Sequence, residues 1–227
     1  MKSLQTNLLL IERRIRRGDT MPVLLLSIGF SLVLLLARIG ITGTMQYSGL
    51  LWNLFLAWVP YGITSWMQRF EHYKSRNGFK TLRIVAVIWW MLFLPNAPYI
   101  LTDLYHLPQG GAPMWFDLFL ILSFAWNGLW LGYLSLRYME QRWTDRYPDK
   151  PLLLFTFPVL ILCGLGVYVG RYLRWNTWDV LTDPFMIIRT LSDIIFHPIQ
   201  NIDVWAFSCC MAVFMTIIRL VISARKA

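Results

Sequence analysis

The stretch FLPNAPYILTDLYH, residues 93–106, is a polar interruption of a largely apolar chain. It follows the apolar run IVAVIWWML and contains two prolines, an asparagine, an aspartate and a histidine. Proline removes a backbone N–H and crowds the carbonyl four residues earlier, so a helix entering this stretch is expected to break at Pro95 and Pro98. We therefore expect residues 93–106 to end a membrane-spanning helix and to bring polar side chains to the membrane edge.

The composition of the whole chain is typical of a membrane protein. Of the 227 residues, 57% are hydrophobic and 15% are charged, whereas soluble domains average about 45–50% and about 25%. The apolar residues form long runs, and the many Trp, Tyr and Phe residues suit the membrane–water interface. No stretch resembles an inter-domain linker, so residues 1–227 are predicted to form a single transmembrane helical domain in a lipid bilayer.

Six apolar runs predict an all-α bundle of six transmembrane helices, the third of them broken at Pro95 and Pro98. The predicted spans are approximately residues 21–38, 47–66, 81–101, 115–136, 152–172 and 203–222. Residues 1–20 combine basic side chains with apolar residues at helical spacing, which predicts an amphipathic helix on the cytoplasmic face. A second amphipathic helix, expected on the outer surface, begins near Asp183 between spans five and six.

The distribution of positive charge predicts the topology. The net charge is +9, but the basic residues flank the apolar runs, so no nucleic-acid partner is expected. Seventeen of the 21 Lys and Arg residues belong to the N-terminus, the loops near 67–83 and 137–150, and the C-terminus. Cytoplasmic segments carry this excess in membrane proteins, so both termini are predicted to be cytoplasmic (N-in, C-in).

The opposite, outer side contains most of the candidate functional residues. Asn96, Tyr99, Asp103 and His106 are spaced by three, four and three, which places them on one face of a helix. Asn96 is expected to cap a new helical segment, and Asp103 and His106 could bind one divalent metal ion or share one proton. In the alternative interpretation, Tyr99 is an interface anchor and the two titratable side chains are merely solvated.

The fourth span supplies two further polar positions. Asp117 lies near its start, where it is a third candidate acid–base group or, alternatively, a helix N-terminal charge favoured by the helix dipole. Asn127 lies ten residues further on, near the middle of the span, where an interhelical hydrogen bond is expected.

A second motif, GRYLRWNTWD at residues 170–179, ends the fifth span. Arg171 and Arg174 lie about one helical turn apart on the side that is poor in positive charge, so they could hold an anion. Alternatively, they pair with Asp103, Asp117 or Asp179. The candidate ligand-binding residues are Asn96, Tyr99, Arg171, Arg174, Asn176 and Asp179. The glycines of GLGVYVG, residues 164–170, indicate close helix packing rather than a nucleotide loop.

LPNAPYILTDLYHL (residues 94–107) and GRYLRWNTWD (residues 170–179) resemble the signature segments of a bacterial family of multi-spanning membrane proteins, the domain of unknown function 1361 family. The resemblance extends roughly from the first predicted span to the last. It implies a multi-pass protein of the bacterial inner membrane. It implies no activity.

Three functions remain open from the sequence, and whether the protein is an enzyme is not decided. The leading hypothesis is an outward-facing site in which Asp103, His106 and Asp117 supply acid–base or metal-binding groups and the arginine pair holds an anionic lipid or envelope precursor. A small-molecule or ion transporter is less favoured, because no span carries an ionisable group at depth. The third hypothesis is a structural or partner-binding subunit whose outer charges pair with one another.

Overall fold

A computed structural model describes residues 20–70, 77–109, 111–173 and 184–224, and all regular secondary structure in these ranges is helical. The elements are α1 (Met21–Thr42), α2 (Gly49–Arg69), α3 (Asn77–Phe93), α4 (Asn96–Tyr99), a 3₁₀ helix (Ile100–Gln109), α5 (Met114–Arg146), α6 (Leu153–Tyr172), α7 (Pro184–Phe196) and α8 (Ile202–Ala224). The all-α prediction is confirmed. The amphipathic helix predicted at residues 1–20 and the capping residue Asp183 lie outside the described residues.

Five helical stretches among the described residues are long and apolar enough to cross a membrane. They are Met21–Thr42, Lys80–Leu107, Met114–Arg146, Leu153–Tyr172 and Ile202–Ala224. Helix α2, which corresponds to the predicted span 47–66, is 21 residues long but is not among them. Its mean hydropathy is lowered by Asn53, Pro60 and three tryptophans. Many large apolar side chains on the outside of the bundle are exposed, as lipid contact would require.

The polar stretch at residues 93–106 changes its helical type along its length. Helix α3 ends at Phe93, a turn follows, and the short α4 leads into the 3₁₀ helix. Hydrogen bonds from the Leu94 N–H to the Trp90 carbonyl and from the Tyr99 N–H to the Pro95 carbonyl continue the helical path around the turn. Taken as a whole, the stretch Lys80–Leu107 is long and apolar enough to cross a membrane as one span. The break at Pro95 and Pro98 therefore stays a prediction.

The capping role predicted for Asn96 is wrong. Pro95 occupies the N-cap position of α4, and Asn96 is the first residue of the helix. The Asn96 side-chain amide instead donates to the Phe93 carbonyl oxygen at 3.0 Å. The side chain therefore gives a hydrogen-bond donor to a carbonyl at the carboxyl end of α3 and does not accept from an N–H at the amino end of α4.

Helix α5 is the centre of the bundle, and α4 lies directly against it. Of the residues in the most apolar part of α5, 61% are buried, whereas this share is 22–33% in the other candidate spans. A Cβ atom on Gly128 of α5 would lie 2.6 Å from the Ala97 carbonyl oxygen of α4, and one on Gly166 of α6 would lie 2.5 Å from Pro95 Cγ. The polar stretch thus sits between α5 and α6 at distances that only glycine permits, in agreement with the close packing predicted for residues 164–170.

Helix α5 continues ten residues beyond the predicted end of the fourth span at residue 136, and this extension carries a buried carboxylate. Glu140 Oε1 lies 2.8 Å from Arg219 Nε of α8 and accepts a hydrogen bond of 2.6 Å from the Thr156 hydroxyl of α6. The Arg219 N–H is not aligned for a hydrogen bond, so that contact is an ion pair. Glu140 therefore ties three helices together at the end of the bundle opposite to residues 93–106.

We expect Thr156→Val to lower the free energy of unfolding by about 1–3 kcal/mol, because it removes the hydroxyl donor from the buried Glu140 carboxylate without changing the side-chain volume much. Thermal unfolding in detergent would measure the loss. The matched control is Thr156→Ser, which keeps the hydroxyl. The serine variant loses a buried methyl group, so only a smaller loss is expected. If the valine variant is as stable as the wild type, the hydrogen bond contributes nothing.

Helix α7 occupies the segment between the last two spans where an amphipathic helix is predicted. Ile194 is buried among Leu165 of α6 and Val204 of α8, and the Trp205 indole N–H donates to the Ile194 carbonyl at 3.1 Å. Phe185 is among the exposed residues at the other end of α7. Helix α7 is thus held across the ends of α6 and α8 by one apolar side.

Candidate functional site

Two polar clusters lie at the same end of the bundle, where the end of α1, the 3₁₀ helix, the start of α5 and the end of α6 meet. We call the first the Arg171 cluster; it consists of Asn53, Tyr99, Thr102, Asp103, His106 and Arg171. We call the second the Arg38 cluster; it consists of Arg38, Thr44, Gln46, Tyr47 and Asp117.

Arg171, in the last turn of α6, gathers the polar side chains of the 3₁₀ helix. Its Nη2 forms an ion pair with Asp103 Oδ1, its Nε donates to Thr102 Oγ1 at 2.7 Å, and its Nη1 donates to His106 Nε2 at 2.9 Å. The guanidinium carbon lies 4.6 Å from the centre of the Tyr99 ring, at cation–π distance. Four of the residues predicted from the sequence, Tyr99, Asp103, His106 and Arg171, therefore converge on one guanidinium.

The Asp103 carboxylate has a partner at each oxygen. Asn53 Nδ2 of α2 donates to Asp103 Oδ2 at 2.9 Å, while Arg171 holds Oδ1. Asp103 is only 8% exposed, so these partners offset the cost of removing its charge from water. Asn53, a residue of the apolar run of α2, thereby brings a fourth helical element to the site.

His106 faces Arg171 through its Nε2 atom in this arrangement. A guanidinium has no hydrogen-bond acceptor, so Arg171 must donate and His106 Nε2 must accept. The ring proton then lies on Nδ1. A metal ion at Asp103 and His106 stays a prediction. In this structure Arg171 binds both Asp103 and His106 Nε2, and the described residues contain no group of three or more metal-binding side chains.

Asp117 lies in the Arg38 cluster and not beside Asp103, His106 and Arg171. Arg38 at the end of α1 donates from Nε to Asp117 Oδ1 at 2.7 Å and from Nη2 to Oδ2 at 3.3 Å. Both side chains are 1% exposed. Arg38 also donates to Thr44 Oγ1 and Gln46 Oε1 at 3.1 Å each. Asp117 is thus occupied in joining α1 to α5 and is not placed to act on a ligand at the Arg171 cluster.

Tyr47 connects the two clusters. Its ring lies 4.3 Å below the Arg38 guanidinium, and its hydroxyl donates to the His106 carbonyl oxygen at 3.0 Å. Burial raises the pKa of Tyr47, the Asp117 carboxylate raises it further, and Arg38 opposes that rise. Tyr47 is therefore a neutral donor at physiological pH, and a displacement of the 3₁₀ helix would move the ring that covers Arg38.

A cavity of about 600 Å³ opens beside the Arg171 cluster, between α2, α3, α4, α6 and α7. Its polar lining residues are Asn53, Asn96 and Tyr99, two of which belong to the cluster. The rest of the lining is apolar or glycine: Trp52, Leu56, Ile88, Met91, Leu92, Pro95, Leu162, Leu165, Gly166, Val169, Gly170, Ile187 and Leu191. The volume is within the range of about 300–1,000 Å³ that is usual for ligand pockets.

The remaining sequence predictions are placed as follows. Asn96 lines the cavity without contacting Arg171, and Arg174, Asn176 and Asp179 lie outside the described residues. The expected interhelical bond of Asn127 is present, from its Nδ2 to Ser31 Oγ of α1 at 2.9 Å. Sequence reasoning missed Arg38, Tyr47, Asn53, Thr102, Glu140 and Arg219 as partners. Arg38 carried the clearest signal, since it is one of only four basic residues on the predicted outer side.

Residues 52–218, well over half of the chain, match a protein family described as protein of unknown function (DUF1361). The match includes both motifs that carry the resemblance noted from the sequence. No curated protein and no solved structure matches the chain.

Proposed function

We propose that this protein, which belongs to the DUF1361 family, is a multi-pass membrane protein that binds the polar head of a lipid or envelope precursor at the Arg171 cluster. The observation that carries the proposal is the convergence of a carboxylate, an imidazole, a guanidinium and the Asn53 amide at one edge of a 600 Å³ apolar cavity. Ligand sites combine mostly apolar walls with a few such polar groups.

The proposed orientation is six spans with both termini on the cytoplasmic side of a bacterial inner membrane. It counts α2 as a span in addition to the five stretches of sufficient hydropathy. Two observations support this: α2 packs against α3 and α5 inside the bundle, and it carries Asn53 to the Arg171 cluster. The positive charge that favours the cytoplasmic side lies at the other end of the helices.

The charge balance of the cluster bears on which head groups fit. Asp103 neutralises Arg171, so the two together offer no net charge. Among the described contacts, three of the five guanidinium N–H groups are used, which leaves donors for a ligand oxygen. If the site prefers an anionic head, Arg174 would supply the net positive charge, since it lies about one helical turn further along the sequence.

The geometry supports binding more than catalysis. Both oxygens of Asp103 and the Nε2 of His106 already have hydrogen-bond partners, and Asp117 is held in the Arg38 cluster. A general base or nucleophile would have to give up one of these partners before it could act.

We expect Arg171→Gln to reduce the amount of lipid retained by the purified protein by about 10- to 100-fold, because charge-assisted hydrogen bonds contribute about 1.5–3 kcal/mol. Native mass spectrometry of the protein extracted with its lipids would measure the retention. The control is Arg189→Gln, which removes an exposed arginine of α7. Equal retention by folded Arg171→Gln and wild-type protein would refute the proposal.

A structural subunit is the second candidate, because Arg38–Asp117, Arg171–Asp103 and Arg219–Glu140 each join different helices. The double variant Arg171→Gln, Asp103→Asn removes both charges of one pair. If the pair is only structural, the double variant should lose thermal stability and keep its bound lipid. If the cluster binds a ligand, it should keep its stability and lose the lipid.

A further inference from the structure

We infer that the 600 Å³ cavity holds one hydrocarbon chain of an outer-leaflet amphiphile whose head lies at the Arg171 cluster. The inference rests on the proposed function and names the ligand class for the same site. The described lining of the cavity is almost entirely apolar, and two of its three polar residues, Asn53 and Tyr99, belong to the cluster.

The polarity of the cavity changes along the helix axes. Asn53 lies at the cluster, whereas Leu56, about one turn further along α2, is apolar. On α6 the lining extends from Gly170, next to Arg171, back to Leu162. A rise of 1.5 Å per residue makes this distance about 12 Å. The cavity is therefore polar at the membrane edge and apolar toward the membrane centre, which is the orientation of a lipid in the outer leaflet.

Among the described residues, the lining contains no charged side chain. A water-soluble ligand filling 600 Å³ would leave most of its polar groups without a partner against these walls, which costs free energy for each buried group. A hydrocarbon chain needs no partner.

The mouth of the cavity faces the outside of the bundle. Trp52 of α2 and Ile88 of α3 line it and are 51% and 60% exposed, on the surface that a bilayer would cover. Ile187 and Leu191 of α7 line it from a third side. A chain can thus enter sideways from the bilayer without crossing water, while the head moves along the membrane surface to Arg171.

A chain that moves from lipid into a protein cavity gains little hydrophobic free energy, because it leaves an equally apolar environment. The head must therefore supply most of the affinity, and the cavity selects the chain by shape. This separates the two parts of the site experimentally: head-contact variants should lower all binding, and cavity-filling variants should displace the chain alone.

The test uses the full-length protein in phosphatidylglycerol vesicles in which an acyl chain carries a photoreactive diazirine. We expect the wild-type protein to be cross-linked at α6 residues 162–170 about fivefold more strongly than at the exposed surface of α1, which corresponds to about 1 kcal/mol of preference. Leu162→Trp should abolish this preference, because the indole fills the inner end of the cavity. Leu154→Trp is the matched control on α6, exposed like Leu162 but outside the cavity lining.

Each outcome has one interpretation. Cross-linking of α6 no stronger than that of α1 in the wild-type protein, or a preference that survives in Leu162→Trp, overturns the inference. The proposed function then still stands if Arg171→Gln loses its retained lipid. A preference that is lost in Leu162→Trp but unchanged in Arg171→Gln overturns the placement of the head and with it both proposals. Met91→Phe, on the α3 wall, replaces Leu162→Trp if the latter fails to fold.

Discussion

Asp117→Ala should lower the free energy of unfolding by about 3–5 kcal/mol, the usual cost of removing one partner of a buried ion pair. The Arg38 guanidinium is 1% exposed, and both oxygens of Asp117 accept its hydrogen bonds. The hydrogen bonds from Arg38 to Thr44 and Gln46 would remain, but these two side chains carry no charge that balances the guanidinium. Thermal unfolding in detergent, followed by tryptophan fluorescence, would measure the loss.

The compensated variant tests the cause. Arg38→Met combined with Asp117→Leu removes both charges and fills the space with apolar atoms, a replacement that is often neutral or stabilising. We expect it to unfold close to the wild-type temperature. Asp203→Ala, at an exposed position in the first turn of α8, controls for loss of a carboxylate at a helix start. If Asp117→Ala is as stable as Asp203→Ala, the ion pair does not stabilise the bundle.

Gly128→Ala should cost about 3 kcal/mol, at the upper end of the usual cost of overpacking. The added Cβ atom would lie 2.6 Å from the Ala97 carbonyl oxygen and 2.9 Å from Ile100 Cδ1. A side-chain methyl can rotate away, but a backbone oxygen of α4 cannot move without shifting the whole helix. Because Tyr99 belongs to the same short helix, we expect this variant to lose bound lipid as well as stability.

Gly29→Ala is the matched control for Gly128→Ala. It makes the same change within α1, where an added Cβ atom meets no atom within 4 Å. Alanine is the better helix former by about 1 kcal/mol, so this variant should be as stable as the wild type or slightly more so. If the two variants lose equal stability, the close contact between α4 and α5 is not the cause of the loss in Gly128→Ala.

The long apolar runs predict the helices well, because burial of apolar residues and satisfaction of backbone groups leave few alternatives in a membrane. Helix ends are predicted less well. Arg137 suggested that the fourth span ends at residue 136, yet α5 continues to Arg146. Charge ends the membrane-spanning part of a helix but not the helix itself, and the next proline is Pro148. Glu140 was therefore assigned to a loop and its ion pair was missed.

The residues of the candidate site were predicted better than their partners, although the pairing of Arg171 with Asp103 was one of the alternatives drawn from the sequence. Spacing along one helix placed Tyr99, Asp103 and His106 together, and all three contact Arg171, which the outer-side charge count had singled out. Asp117 was assigned to the same group because it lies, like Asp103 and His106, on the predicted outer side. Its partner depends on how α1 packs against α5, and no local pattern encodes a contact between residues 79 positions apart.

The separation of Arg38 from Asp117 also has a consequence for how the chain is made. During translation at about 5–20 residues per second, the 79 residues between them take about 4–16 s to synthesise. Throughout that interval α1 already carries Arg38 near its carboxyl-terminal end, while its partner Asp117 has not yet been synthesised. The pairing of α1 with α5 can therefore form only after the start of α5 has left the ribosome.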